Sequence, residues 1–261
     1  MSGEKNEYES NRIDILKRIH SVTVEAVKTI GDISQQTNAD IFLVICMGRL
    51  INLLDAMIVL LSAGLVYETQ IIARTVFELI CHGIITYKDP NFLDEIENHD
   101  LVMEKRSIEL WLGSKPHLLD PAMSNETRAQ EEQKLKELKE KINERKAKLI
   151  PRESLTARSD QGFLYATFYN LCCDTSHISL KHIRSCVIFD KNYVPRSVFC
   201  GKNHHPNESD HIVRFTEMLT SDFLKKTATR FDLKIQKEVY KISEDLRKIP
   251  SPDPSCFIHY E

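Results

Sequence analysis

The chain has 261 residues, 42% hydrophobic and 28% charged, with 35 Lys and Arg against 38 Asp and Glu. That balance, with only 8 Gly and 9 Pro, excludes a disordered or collagen-like chain and leaves no global nucleic-acid footprint. A core can be buried at this length without disulfide help.

The opening MSGEKNEYESNRID is charged and lacks an apolar h-region, so no secretory signal is expected. Apolar residues then recur at Ile15, Ile19, Val22, Ala26, Ile30 and Ile33, steps of three and four that mark an amphipathic helix. Thr37-Asn38 breaks the pattern, and Asp40 is placed to cap a second helix over Ile41–Leu61. This is the most apolar stretch, yet Arg49, Asn52 and Asp55 interrupt it. A central charge costs ~2.5–3.5 kcal/mol on an insertion scale. The clean run from Ala56 to Val66 is shorter than the ~20 residues of a spanning helix. The expectation is a core helix and no membrane partner.

Ser62-Ala63-Gly64 suits a turn, and a third helix is predicted over Tyr67–Tyr87, stopping before Asp89-Pro90. Both apolar helices are expected at the centre of the bundle. A fourth is predicted over Phe92–Leu112, ended by Gly113-Ser114-Lys115-Pro116. The segment Glu126–Lys148 holds six acids and eight bases, with Leu135, Leu138, Ile142 and Leu149 at heptad-like spacing. It reads either as a short coiled-coil contact or as a solvated helix laced with i,i+4 pairs. The second is favoured, because Arg145 occupies the next seam position.

Helical pattern resumes over Gln161–Ile183. Cys186–Cys200 suits a small irregular hairpin, with Pro195 confining it to an edge. GKNHHPNESD is a polar loop, after which Ser209 or Asp210 caps one long closing helix with Phe231, Ile235, Val239, Ile242, Leu246 and Ile249 toward the core. The predicted fold class is all-α: one helical domain over 1–261, a bundle with a charged helical arm inserted over 117–150. Seven cysteines without a C-x-x-C pair indicate reduced thiols and a cytoplasmic setting.

The informative residues are polar ones on helices that ought to be buried. Arg49, Asn52 and Asp55 recur every three residues; Arg74, Glu78 and His82 every four; Tyr169, Cys173 and His177 every four, with Asp174 and Lys181 nearby. Buried charge is costly unless partnered, so these stripes are expected to meet or to line a wet pocket. Arg74 and Glu78 can pair along their helix, with His177 as third partner. A histidine beside a carboxylate suits proton transfer. Equally, such a network can be a polar lock that fixes helix register. His82, near a helix end, reads more readily as a cap or a satisfied core residue.

The segments ARTVFEL at Ala73–Leu79, YKDP at Tyr87–Pro90 and YNLCCDTSH at Tyr169–His177 resemble a widespread bacterial domain family of unknown function. Its members show an R-x-x-x-E helix, an Asp-Pro break and a later helix with Tyr, Ser and His. The resemblance covers Ile41 to His182 apart from the charged arm and implies Arg74, Glu78, Tyr169 and His177 as signature positions, with no established activity attached. A looser similarity is to HEPN helical-bundle nucleases and abortive-infection proteins, marked by R-x(4–6)-H. Here Arg74 and His82, and likewise Arg196 and His204, have seven residues between them, a departure from that mark.

Other signals are weaker. Cys200, His204, His205 and His211 hold metal-ligand chemistry, but C-x3-H-H-x5-H matches no common finger, and no metal is expected. There is no phosphate loop, G-x-S-x-G or dinucleotide fingerprint, and no cofactor is expected. The leading expectation is a pocket for a phosphate-containing ligand, nucleotide or RNA. In it Arg74 and Arg49 hold phosphate, Asp55 and Tyr169 line the site, Glu78 orients and His177 exchanges protons. The alternative is a non-catalytic interaction module, self-associating as a homodimer through the charged arm and the C-terminal helix.

Overall fold

A computed structural model describes residues 2–31, 36–113, 125–169, 172, 187–189, 195–198 and 206–249. Its helices are α1 (Ser2–Ile30), α2 (Asn38–Ser62), α3 (Val66–Lys88), α4 (Phe92–Gly113), α5 (Asn125–Arg145), α6 (Arg152–Arg158), α7 (Gly162–Leu164, running into a π-helical turn, Tyr165–Tyr169), α8 (Pro206–Arg230) and α9 (Gln236–Lys248). The fold is an all-α helical bundle. Two short antiparallel strands, β1 (Val187–Phe189) and β2 (Pro195–Val198), pair Val187 with Val198 and Ile188 with Ser197, with an irregularity before Phe189. Pro195 opens its strand, a position where its missing N–H is tolerated.

The chain divides into two compact units, Met1–Lys88 with Thr156–Glu261, and Asp89–Leu155. In the first, α1 packs on α2, α8 and α9, while α3 packs on α2 and α8. Leu16, Ile19, Met47, Leu50, Leu54, Ile80, Ile212 and Phe223 form its buried core. Two expectations need correction here. The most enclosed helix is α8, with Ile212, Val213, Leu219 and Phe223 all inaccessible, whereas α2 leaves Ile45, Arg49, Asn52, Asp55 and Val59 exposed. The closing segment is two helices rather than one, and Asp210 is no cap but a buried residue of α8.

Helix ends follow from local bonds. Thr37, not Asp40, is the N-cap of α2: its hydroxyl accepts from Asp40 N at 3.2 Å, and Asp40 Oδ2 accepts from Thr37 N at 3.3 Å, a capping box. Four helices, α2, α5, α6 and α8, end on a left-handed residue followed by an N–H that reaches back five residues. The left-handed residues are Gly64, Lys146, Asp160 and Asp232, with φ of 75°, 52°, 61° and 51°. The closing bonds run from Leu65 to Leu60 (2.8 Å) and from Ala147 to Ile142, Gln161 to Thr156 and Leu233 to Ala228 (each 2.9 Å).

The second unit is a helical hairpin. Antiparallel α4 and α5 bury Ile108 and Leu138 and are joined by ion pairs Lys134–Glu104 (2.7 Å), Lys139–Glu109 (3.2 Å) and Arg145–Glu97 (3.1 Å). The heptad-like spacing of α5 therefore marks a real helix contact, made within the chain, while its other faces are solvated as the charge pattern implies. Helix α2 alone among the described residues is long and apolar enough to cross a membrane, by length and composition. Here one of its faces, including Leu43, Met47, Leu50, Leu54 and Met57, is buried within the protein.

Candidate functional site

Arg74 and Glu78 lie one turn apart on α3, spacing that puts them on one side of the helix. Arg74 Nε and Glu78 Oε1 are 3.5 Å apart. Tyr169, brought in by the π-helical turn, joins them: its hydroxyl donates to Glu78 Oε1 at 2.5 Å and accepts from Arg74 Nε at 3.2 Å. Tyr169 is 2% exposed, whereas the side chains of Arg74 and Glu78 are 16% and 36% exposed. The two charged groups are thus at the edge of the protein and their bridge is inside it.

Aromatic rings form the inner wall. Phe77 lies 5.1 Å from Tyr169 and 5.8 Å from Phe215, centroid to centroid, and Tyr165 stacks on Tyr169 at 5.0 Å. Arg74 Cζ sits 5.4 Å from the centre of the Tyr169 ring, close enough for a cation–π contribution. A tyrosine held on its face, its edge and its hydroxyl has little rotational freedom, so the guanidinium it contacts is held as well.

Of the residues expected at a site, the structure brings together Arg74, Glu78 and Tyr169. It does not bring Arg49 and Asp55 to the interior: Arg49 is exposed, and Asp55, 61% exposed, lies 3.2 Å from His20 Nε2 of α1. The reason is geometric. Steps of three fall 60° short of a full turn, and these residues straddle the side opposite the Leu43–Met47–Leu50–Leu54 stripe. His177, Cys173, Asp174 and Lys181 lie outside the described residues, as do Cys200, His204 and His205 of the candidate metal set. His211 is described, on α8, where burial pushes its imidazole below the usual histidine range. Among the described residues no group of three or more His, Cys, Asp or Glu could hold a metal ion.

A second polar cluster lies between α1, α8 and the end of α9. Asp210, fully buried, accepts from Arg12 Nε at 2.9 Å and from Arg214 Nε at 2.8 Å. Arg214 also donates to the carbonyls of Leu246 (3.1 Å) and Ile249 (2.6 Å), which satisfies the C-terminal end of α9. Nearby on α8, Glu217 accepts from Ser221 and from Ser243 of α9 at 2.6 and 2.5 Å. The Asp210–Arg214 spacing of four was the available signal; Arg12, 198 residues away from Asp210, gave none.

Residues 40–193, more than half of the chain and including Arg74, Glu78 and Tyr169, match a family of unknown function (DUF5677). The chain belongs to that family. No curated protein and no solved structure matches it.

Proposed function

We propose that the Arg74–Glu78–Tyr169 cluster is a binding site for a phosphate-containing ligand, a nucleotide or RNA, in a cytoplasmic protein. The observation that carries this reading is the Tyr169 hydroxyl, which donates to Glu78 and accepts from Arg74 Nε. Engaging Nε fixes the plane of the guanidinium, the preorganisation that forked recognition of phosphate needs. The partial exposure of Arg74 and Glu78 lets a ligand reach them, and π-helical turns occur frequently at functional sites. His177, within eight residues of Tyr169 in sequence, is the candidate general acid–base if the ligand is cleaved. The similarity to HEPN-type abortive-infection bundles supplies a setting, host defence or toxicity, by analogy alone.

A second reading has its own support. Tyr169 is 2% exposed and bonded on both sides, as a register-fixing lock would be, which suits a non-catalytic module. Thermal scans with inorganic phosphate, ATP and a short single-stranded RNA separate the two. A site gives a saturable rise in Tm, worth ~2.7 kcal/mol at a hundredfold excess over Kd, that is lost in Arg74→Lys. No shift with any of the three at millimolar concentration overturns the site, and the lock remains. In either case Tyr169→Phe should cost ~1.5–3 kcal/mol, since its hydroxyl bonds to charged groups.

A further inference from the structure

Among the described residues, helix α2 keeps an outer face that none of the others covers. Ile41, Ile45, Gly48, Asn52, Ala56, Val59 and Ala63 follow one another along it at steps of four and three. Ile45 and Val59 are 59% and 66% exposed. Gly48 is anomalous in the middle of a helix, where glycine costs stability relative to alanine. Beyond its own neighbours and the local helix backbone, no atom lies within 4 Å of where its Cβ would be, so crowding against other parts of the protein does not require it. Arg49 and Asp55 flank the face on opposite sides, each about 60° from Asn52 around the helix, and no ion-pair partner of Arg49 is found among the described residues.

We infer that this face is the interface with a second copy of the chain, two α2 helices lying parallel and in register about a two-fold axis along them. The charges select the orientation. In a parallel pair, opposite flanks of the two helices abut, as e and g positions do in coiled coils, so Arg49 of each copy lies beside the partner's Asp55. In an antiparallel pair, like flanks abut, and Arg49 would be set against Arg49 and Asp55 against Asp55. Parallel register also stacks Ile45 on Ile45 and Val59 on Val59, β-branched layers of the kind that favour two strands. Asn52 meets Asn52 between them, the polar layer best attested as a register device. Gly48 and Ala56 supply the close approach. The His20 contact uses one side of an Asp55 carboxylate that is 61% exposed. This surface is distinct from the charged arm, and the inference stands whether or not Arg74 binds a ligand.

The test is mass by light scattering on the full chain at micromolar concentrations, together with oxidative cross-linking of Ile45→Cys. A dimer is expected for the parent and a monomer for Gly48→Lys, which has open space in the fold. Arg49→Asp should weaken dimerisation at least tenfold, and Arg49→Asp with Asp55→Arg should restore it. Ile45→Cys should cross-link to itself above the level given by the native cysteines, which only parallel register allows. A monomeric parent overturns the inference. So does a dimer that survives Gly48→Lys, or one that Ile45→Cys fails to link. A monomer that floats with anionic phospholipid vesicles would assign the face to a lipid surface instead, and also overturns it.

Discussion

Asp40 shows how much one side chain can carry. It closes the capping box of α2 and also accepts from Arg230 Nε at 2.7 Å, 190 residues away in sequence. The Arg230 hydrogen bond, helped by those from Thr37, holds its carboxyl below the usual 3.8 although burial opposes this. A carboxyl depressed in the folded state stabilises the fold above the unfolded value, and that contribution fades as pH falls through the folded one. Asp40→Asn should therefore have a lower Tm than the parent at pH 7, and the gap should close below pH 3.8. A gap that stays constant from pH 7 to pH 2 would mean the ion pair contributes nothing. At this scale the sequence was partly readable. A spacing of four identified Arg74 and Glu78, and Tyr169 stood in a motif of its own. The same spacing relates Asp210 and Arg214, while the side of α2 that Arg49 and Asp55 share with Asn52 turns outward, because the packing falls on the opposite Leu43–Met47–Leu50–Leu54 stripe.

At the scale of elements, α3 packs tightly on α8 where Gly83 meets Phe223. A Cβ on Gly83 would lie 2.6 Å from Phe223 Cε2, and that ring is fully buried. Gly83→Ala would gain about 0.5–1 kcal/mol in helix propensity, but overpacking costs ~1–3 kcal/mol, and a ring enclosed on all sides cannot step aside. The variant should be less stable in urea denaturation, and Phe223→Leu in the same background should recover part of the loss. Helix starts and stops differ in legibility for a related reason. Gly64 announced the end of α2, since glycine adopts φ of 75° without penalty. The ends of α5, α6 and α8 use Lys146, Asp160 and Asp232 in the same conformation, and no residue type there signals a stop. That is why α8 and α9 read as one helix.

Across the first unit as a whole, Arg12, Asp210 and Arg214 tie α1, α8 and the end of α9 together. Removing one partner of a buried charged pair leaves the other uncompensated, at ~3–5 kcal/mol. Asp210→Asn should lose stability of that order in urea denaturation, and Arg12→Met/Asp210→Leu should be less destabilised than the sum of its single changes. Strict additivity would show that the pair acts only through solvent.

Composition, hydrophobic period and proline placement were enough to specify an all-α chain and the extents of α2, α3 and α4 to within a few residues, because those signals are local. Which face of each helix turns inward was readable where apolar residues crowd one side, as with Ile15, Ile19 and Ala26 of α1 and Val239, Ile242 and Leu246 of α9, all buried. It was not readable on α2, where apolar side chains ring the helix and burial depends on what packs against it. The enclosure of α8, the bridge from Tyr169 to α3 and the bond between Arg12 and Asp210 all join residues far apart in the chain. Such pairings are decided by packing, since a charge is buried only where its partner arrives from elsewhere in the fold.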